Sequence, residues 1–141
     1  REQNESIHKG LNLLYEAIKE NLRSIAIYNG YGSLMEAEPV VAQKEEPDVT
    51  RQGWFMQAKT RMENIHFSTP HVQNLFDDGT CRYYWVISSS RVVELTNGTD
   101  TQLGVLLVDM DYSGISRMME RINTSGKGQY FYLCDGEGNI I

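Results

Sequence analysis

Cysteine is scarce. Cys81 and Cys134 are the two in 141 residues, too few for a disulfide scaffold and not spaced for zinc. Neither has a flanking base, which marks both as inert. Cationic residues are in the minority, with 13 Lys and Arg against 19 Asp and Glu and a net charge of −6. Such a chain repels phosphate backbones, which argues against nucleic acid, and it lacks a polybasic cluster for an anionic membrane. No apolar run reaches the roughly 18 residues of a membrane helix, and the opening residues are read as carrying no signal peptide. Enzyme signatures are also missing. There is no Walker loop, no dinucleotide glycine motif and no nucleophile elbow around Ser88, Ser89 and Ser90. His66 and His71 flank Pro70 and share no helix face, so they read as ordinary loop histidines. The residues imply no catalytic group, no cofactor and no metal site.

What is present describes a folded domain. Hydrophobic residues make up 40% and aromatics 10%, with 8 Tyr, which is globular rather than disordered. The length suits one domain with an appended helix. Residues 135–139 (DGEGN) read as a turn before Ile140 and Ile141, where a strand is expected to start. The expectation is an excerpt of a longer protein, cut inside a second unit.

Ile7, Leu11, Leu14, Ile18, Leu22 and Ile25 recur at helical spacing, predicting a helix over residues 1–24. Its stripe either covers a sheet or pairs with another chain. Residues 24–28 read as a strand, Asn29 to Gly32 as a tight turn and residues 33–37 as the return strand. Residues 38–50 are acidic and Pro-containing, a loop or a strand ending in a loop. Asp48 or Thr50, after Pro47, caps a helix over 50–62. Residues 63–80 look mostly irregular. Residues 82–95 and 104–109 form strands, the second apolar enough to be central. Ser113 caps a helix over 113–122, residues 125–128 are a link, and residues 130–134 form a further strand. Hairpin-joined strands with helices segregated to one face make the class α+β, with a central antiparallel sheet.

One constellation carries chemistry. Arg51, Trp54, Phe55 and Ala58 fall at one helix start, with Arg51 to Trp54 and Trp54 to Ala58 spaced to share a face. Asp109 closes an otherwise apolar strand. Arg is a forked donor suited to carboxylate, and Trp offers a flat face and one N–H. The set reads either as a cleft for a small zwitterion or polyol, or as an Arg–Asp pair bracing helix to sheet with Trp54 in the core. Tyr83, Trp85 and Ile87 alternate toward one strand face, and Tyr84, Val86 and Ser88 toward the other; one face should line any pocket.

The order of these pieces resembles the extracellular double Cache sensor domain, closest to those of bacterial transmembrane histidine kinases of the YesM type. The most specific pieces are residues 104–115 (GVLLVDMDYSGI) and 126–141 (GKGQYFYLCDGEGNII). The resemblance implies a stalk helix over 1–24, a membrane-distal PAS-like lobe over 25–125, and the truncated start of a membrane-proximal lobe over 126–141. It implies a location on the extracellular face of a bacterial membrane, tethered there in the full-length protein. It further implies homodimer contacts along the first helix, a small-molecule ligand (amino acid, sugar, organic acid or short peptide) and control of a cytoplasmic kinase. The same lobe serves chemoreceptors, and a lobe without ligand would act as a dimerisation or interaction module. Some members bind amino acids through a Tyr-x4-Arg-x-Trp-Tyr-x-x-Ala helix and a distant Asp. Trp54, Phe55, Ala58 and Asp109 fall on that pattern. Arg51 lies one residue early, and Glu46 stands at the Tyr position. The resemblance thus nominates Arg51, Trp54, Phe55, Tyr83, Trp85 and Asp109 as ligand-binding residues.

Overall fold

A computed structural model describes residues 2–39, 42–44, 48–77, 79, 80, 82–125 and 128–141. Glu46, Pro47, Cys81 and the start of the 126–141 segment lie outside them.

Helix α1 covers Glu2–Ile18 and stops well before the end of the apolar spacing. Leu22 and Ile25, expected on the stalk helix, belong to strand β1, Leu22–Asn29. The reason is that residues 24–28 are wanted by two neighbours at once. β1 pairs antiparallel with β2, Leu34–Glu38, on one side and with β8, Asp100–Asp111, on the other. β-branched Ile25 and Ile27 suit such a strand better than a helix. The turn between β1 and β2 forms as the sequence predicts: Asn29 Oδ1 accepts hydrogen bonds from the Tyr31 and Ser33 amides, both at 3.0 Å. Gly32 has φ of +85°, and a Cβ there would lie 2.7 Å from Thr50 Cγ2, so the position is doubly restricted to glycine.

Strand β7, Trp85–Asn97, pairs with β8 from Val86 to Asn97. Short strands fill the stretch expected to be irregular. β4, His66–Phe67, and β5, His71–Val72, pair with the other edge of β7, while β3, Ala42–Gln43, pairs with β6, Phe76–Asp77. The main sheet is antiparallel, in the order β2-β1-β8-β7-β4 with β5 also on β7. The expected α+β class and central antiparallel sheet are therefore present. The expected helix over 50–62 is a 3-10 turn, Val49–Arg51, followed by α2, Gly53–Thr60. The final helix, α3, covers Tyr112–Ser125.

Alternation decides which face each helix covers. Ala26, Tyr28, Val105 and Leu107 project to one face, where Phe55 and Ala58 of α2 and the loop residues Leu75 and Phe76 close the core. Ile25 and Glu38, paired in register, project to the other. There Asn12 of α1 reaches Glu38 at 3.4 Å and His8 lies 3.1 Å from Glu36. The helices thus divide between the two faces instead of sharing one, because β1 leaves apolar Ile25 on the second face in need of cover. Leu11 turns inward from α1, whereas Leu13, Leu14 and Ile18 stay exposed.

Residues 130–134 do not form the expected strand. One isolated bridge, Cys134 to Ile140, closes the 135–139 turn, and a single hairpin without a neighbouring strand is marginal. The Asp135 carboxylate accepts the Glu137 and Asn139 amides, both at 2.9 Å, so its acidic residue serves the turn. The Asn139 side-chain amide, donating to the same carboxylate at 2.9 Å, and then those backbone bonds hold the Asp135 carboxyl below the usual range. Asn123 of α3 binds Phe131 through both backbone groups, at 2.7 and 3.1 Å, and anchors this segment. Among the described residues no helix is long and apolar enough to cross a membrane.

Candidate functional site

A row of polar side chains crosses the sheet on its core face. Ser24 of β1, Asp109 of β8 and Ser88 of β7 are mutual register partners, so alternation points all three the same way. Ser88 Oγ donates to Asp109 Oδ1 at 2.5 Å, and Ser24 Oγ donates to Oδ2 at 3.4 Å. All three are buried. His71 extends the row from β5, with Nε2 3.2 Å from Ser88 Oγ and Nδ1 3.0 Å from the Thr69 carbonyl. Ser68 completes it: its Oγ accepts the Ser88 amide at 2.9 Å and lies 3.2 Å from His71 Nδ1. The Ser88 hydroxyl thus sits between the Asp109 carboxyl and the His71 ring. His71, read from sequence as an ordinary loop histidine, is instead part of a buried polar chain.

Burial raises the Asp109 pKa, against the opposing pull of the Ser88 hydrogen bond, the His71 charge and Ser24. Tyr28, two residues beyond Ala26 on the same face, is fully buried, and its hydroxyl has no hydrogen-bond partner among the described residues. Burial, helped by the nearby Asp109 charge, pushes its phenol well above the ordinary value.

Ser24 also lines a cleft of about 500 Å³. That volume suits a small metabolite. Its lining includes Arg23 and Ser24 of β1, Tyr15 of α1, Phe76 and Asp77, and residues 82–84. Two backbone bonds join neighbouring lining segments: the Lys44 amide donates to Leu75 O at 2.8 Å, and the Gln73 amide to Tyr84 O at 2.9 Å. A β-bulge places Arg23. Leu22 pairs with Met110 and Ser24 with Asp109, leaving Arg23 as the extra residue. Bulges re-aim side chains in this way. The Arg23 guanidinium lies over the Tyr84 ring, 3.1 Å from its centroid.

The six residues nominated from the sequence are not gathered into one hollow. Arg51 is in the 3-10 turn, not the helix, so the spacing that was to align it with Trp54 does not apply. Its side chain is 85% exposed, 3.9 Å from Asp48. Trp54 is half-buried against Tyr28 and Phe55, with ring centroids at 5.3 and 5.6 Å, and its indole N–H is taken by Gln52 Oε1 at 2.8 Å. Phe55 is core. Trp85 opens β7 on the face opposite Ser88 and is exposed. Tyr83 lines the cleft, and Asp109 lies behind Ser24. Because β7 begins at Trp85, Tyr83 and Tyr84 precede the strand and escape its alternation, so both reach the cleft. Sequence reading missed Arg23, Ser24, Lys44, His71, Arg82 and Ser88. Three serines inside an apolar strand were the available signal for Ser88, since serine needs a partner when buried. Nothing local marks the others.

No family model matches the chain, and no curated protein matches it. Solved structures do. The ligand-binding domain of the Pseudomonas aeruginosa amino acid chemoreceptor PctB, in complex with L-Arg, superposes with a TM-score of 0.63 at 16% identity, over 94% of this chain and 48% of that one. That of P. aeruginosa PctC, in complex with GABA, gives 0.57 at 21% identity, over 88% and 51%. That of the Pseudomonas fluorescens chemoreceptor CtaA, in complex with L-isoleucine, gives 0.59 at 14% identity, over 89% and 46%. The chain spans about half the length of the structures it matches. At these identities the likeness concerns architecture, and on that ground the chain has the Cache, PAS-like fold of receptor ligand-binding domains.

Proposed function

We propose that this chain is the extracytoplasmic input lobe of a transmembrane receptor, binding a small molecule in the cleft beside Ser24. The carrying observation is the coincidence of a cleft of about 500 Å³ with a polar row whose buried acid lies one hydrogen bond behind its wall. Tyr83 and Asp109 remain the site residues of this reading, joined by Arg23, Lys44, Arg82 and Tyr84. The sequence resemblance favours a sensor histidine kinase as the full-length protein; the chemoreceptor neighbours favour the second reading, the same lobe feeding a chemotaxis output. In either case the fragment itself is non-catalytic, and the membrane-distal position is part of the proposal.

A thermal-shift panel of amino acids, organic acids, sugars and short peptides tests the reading. At about a hundredfold excess over Kd, a cognate ligand stabilises the fold by about 2.7 kcal/mol. Arg51→Ala should leave that shift intact, since Arg51 faces solvent. A panel with no shift in any arm would overturn the sensor reading.

Dimerisation through α1 belongs to the same proposal, because Leu13, Leu14 and Ile18 are exposed on it. Leu14→Glu should convert dimer to monomer in sedimentation velocity without lowering the thermal midpoint. A wild-type chain that stays monomeric at hundreds of micromolar would count against the dimer.

A further inference from the structure

Helix α1 is held to the sheet by a narrow contact. It packs on β2 and β1, and among its described side chains Leu11 alone is buried, with Ile7, Asn12 and Tyr15 half-buried. A helix of this kind is stabilised mainly by what its inner face touches, so each contact along the seam counts. Beside Leu11 the seam is ionic. Glu36 and Glu38 of the edge strand β2 are two residues apart, so alternation turns both carboxylates to α1. Their side chains are 23% and 7% exposed. His8 Nδ1 lies 3.1 Å from Glu36 Oε1 and 3.7 Å from Glu38 Oε1, and Asn12 Nδ2 donates to Glu38 Oε1 at 3.4 Å. Carboxylates taken out of water are costly to hold without a cation. Among the described residues His8 is the one base paired with either acid. The residues of β1 in register with Glu36 and Glu38 are Ile27 and Ile25, which bring no charge. On α1 itself the neighbouring charges, Glu5 and Lys9, are exposed.

We infer that His8 is a pH-operated clasp, fastening α1 to the edge of the sheet while its ring carries the second proton. Imidazole is the side chain whose charge changes between about pH 5 and pH 8. Charged, the ring answers two carboxylates at once. Neutral, it can keep the Nδ1 hydrogen and the bond to Glu36, but it brings no charge to the pair. Glu36 and Glu38 then face the helix with Asn12 as the remaining donor to Glu38, and α1 loosens from β2. In strong acid the carboxylates are neutralised and the clasp is lost again, so fastening is tightest between the two limits. The same helix carries Tyr15 of the cleft lining about two turns on, which lets the clasp bear on the cleft as well. The clasp operates with or without a ligand there.

The test is amide hydrogen exchange along α1 in the purified chain, at about pH 6 and about pH 8.5, with protection corrected for the intrinsic pH dependence of exchange. Protection of the α1 amides should fall by about threefold between the two, the scale of an ion pair partly open to solvent. His8→Gln should show the lower protection at both pH values and no step. His8→Lys, which keeps a cation at both, should also lose the step but hold the helix at the higher pH better than wild type does. Glu38→Gln should shrink the step. The β8 amides report the fold as a whole, and their protection at each pH should match wild type in every variant, which separates loosening of α1 from unfolding. A wild-type helix equally protected at both pH values would overturn the clasp. So would a step that survives in His8→Gln, because the titrating group would then lie elsewhere.

Discussion

Phe55→Ala should lower the stability of the folded chain by about 3–5 kcal/mol, the usual cost of emptying a buried aromatic site. The Phe55 side chain is 2% exposed and touches the centre of the core, where Ala26, Tyr28, Val105 and Leu107 meet Ala58, Leu75 and Phe76. Its ring meets Trp54 edge to face, at 84° between planes, so truncation also removes the surface on which the indole rests. Collapse cannot fill the space readily. β1 and β8 are locked by register on both sides, and Gly104 is a point of backbone contact where an added Cβ would lie 2.6 Å from the Tyr28 carbonyl. For a domain of this size the loss corresponds to a fall of roughly 10 °C or more in thermal midpoint. The resemblance nominates the same position as part of a ligand-binding helix, so the two roles separate cleanly. A core role predicts a large drop in denaturation midpoint. A variant with wild-type midpoint would show that Phe55 does not pack as described.

The fold was largely legible because its main signals are local. Asn29 to Gly32 specify a turn by side-chain chemistry, and residues 104–109 specify a covered strand by composition. Two local readings failed for reasons outside the local window. Leu22 and Ile25 continue a helical spacing by coincidence, and pairing with β2 and β8 overrides it. Residues 130–134 have strand composition without a strand beside them. The site was less legible than the fold. The Arg51-Trp54 spacing aligns two side chains only if both are α-helical, and the chain makes a 3-10 turn at the first of them. Arg23, Lys44 and Arg82 are far apart in sequence, and only the bulge at Arg23 and the late start of β7 bring their segments around one cleft. Asp109 was visible as an acid closing an apolar strand. Its partner Ser88 follows from a register that no single strand encodes.

Asp109→Asn should make the protein more stable than wild type at neutral pH and flatten its pH dependence. Asp109 is 2% exposed, and burial raises its pKa from 3.8 despite the Ser88 bond, the His71 charge and Ser24. A raised acid holds its proton in the folded state after the unfolded chain has released it. The stability this contributes is fully present below the unfolded value of 3.8 and is lost as pH rises through the folded value. The maximum slope for one proton is about 1.4 kcal/mol per pH unit. Asparagine has nearly the same shape and cannot ionise, and its carbonyl can still accept from Ser88 or Ser24. The difference between the two proteins should therefore grow from pH 4 upward and level off once Asp109 is ionised in the folded state. Ser88→Ala should move that plateau to higher pH, since it removes the hydrogen bond that opposes the effect of burial. Urea midpoints measured from pH 4 to pH 8 on all three proteins read this directly. Parallel curves for wild type and Asp109→Asn would mean that the carboxylate is no harder to ionise folded than unfolded, and that burial behind the cleft does not govern its charge.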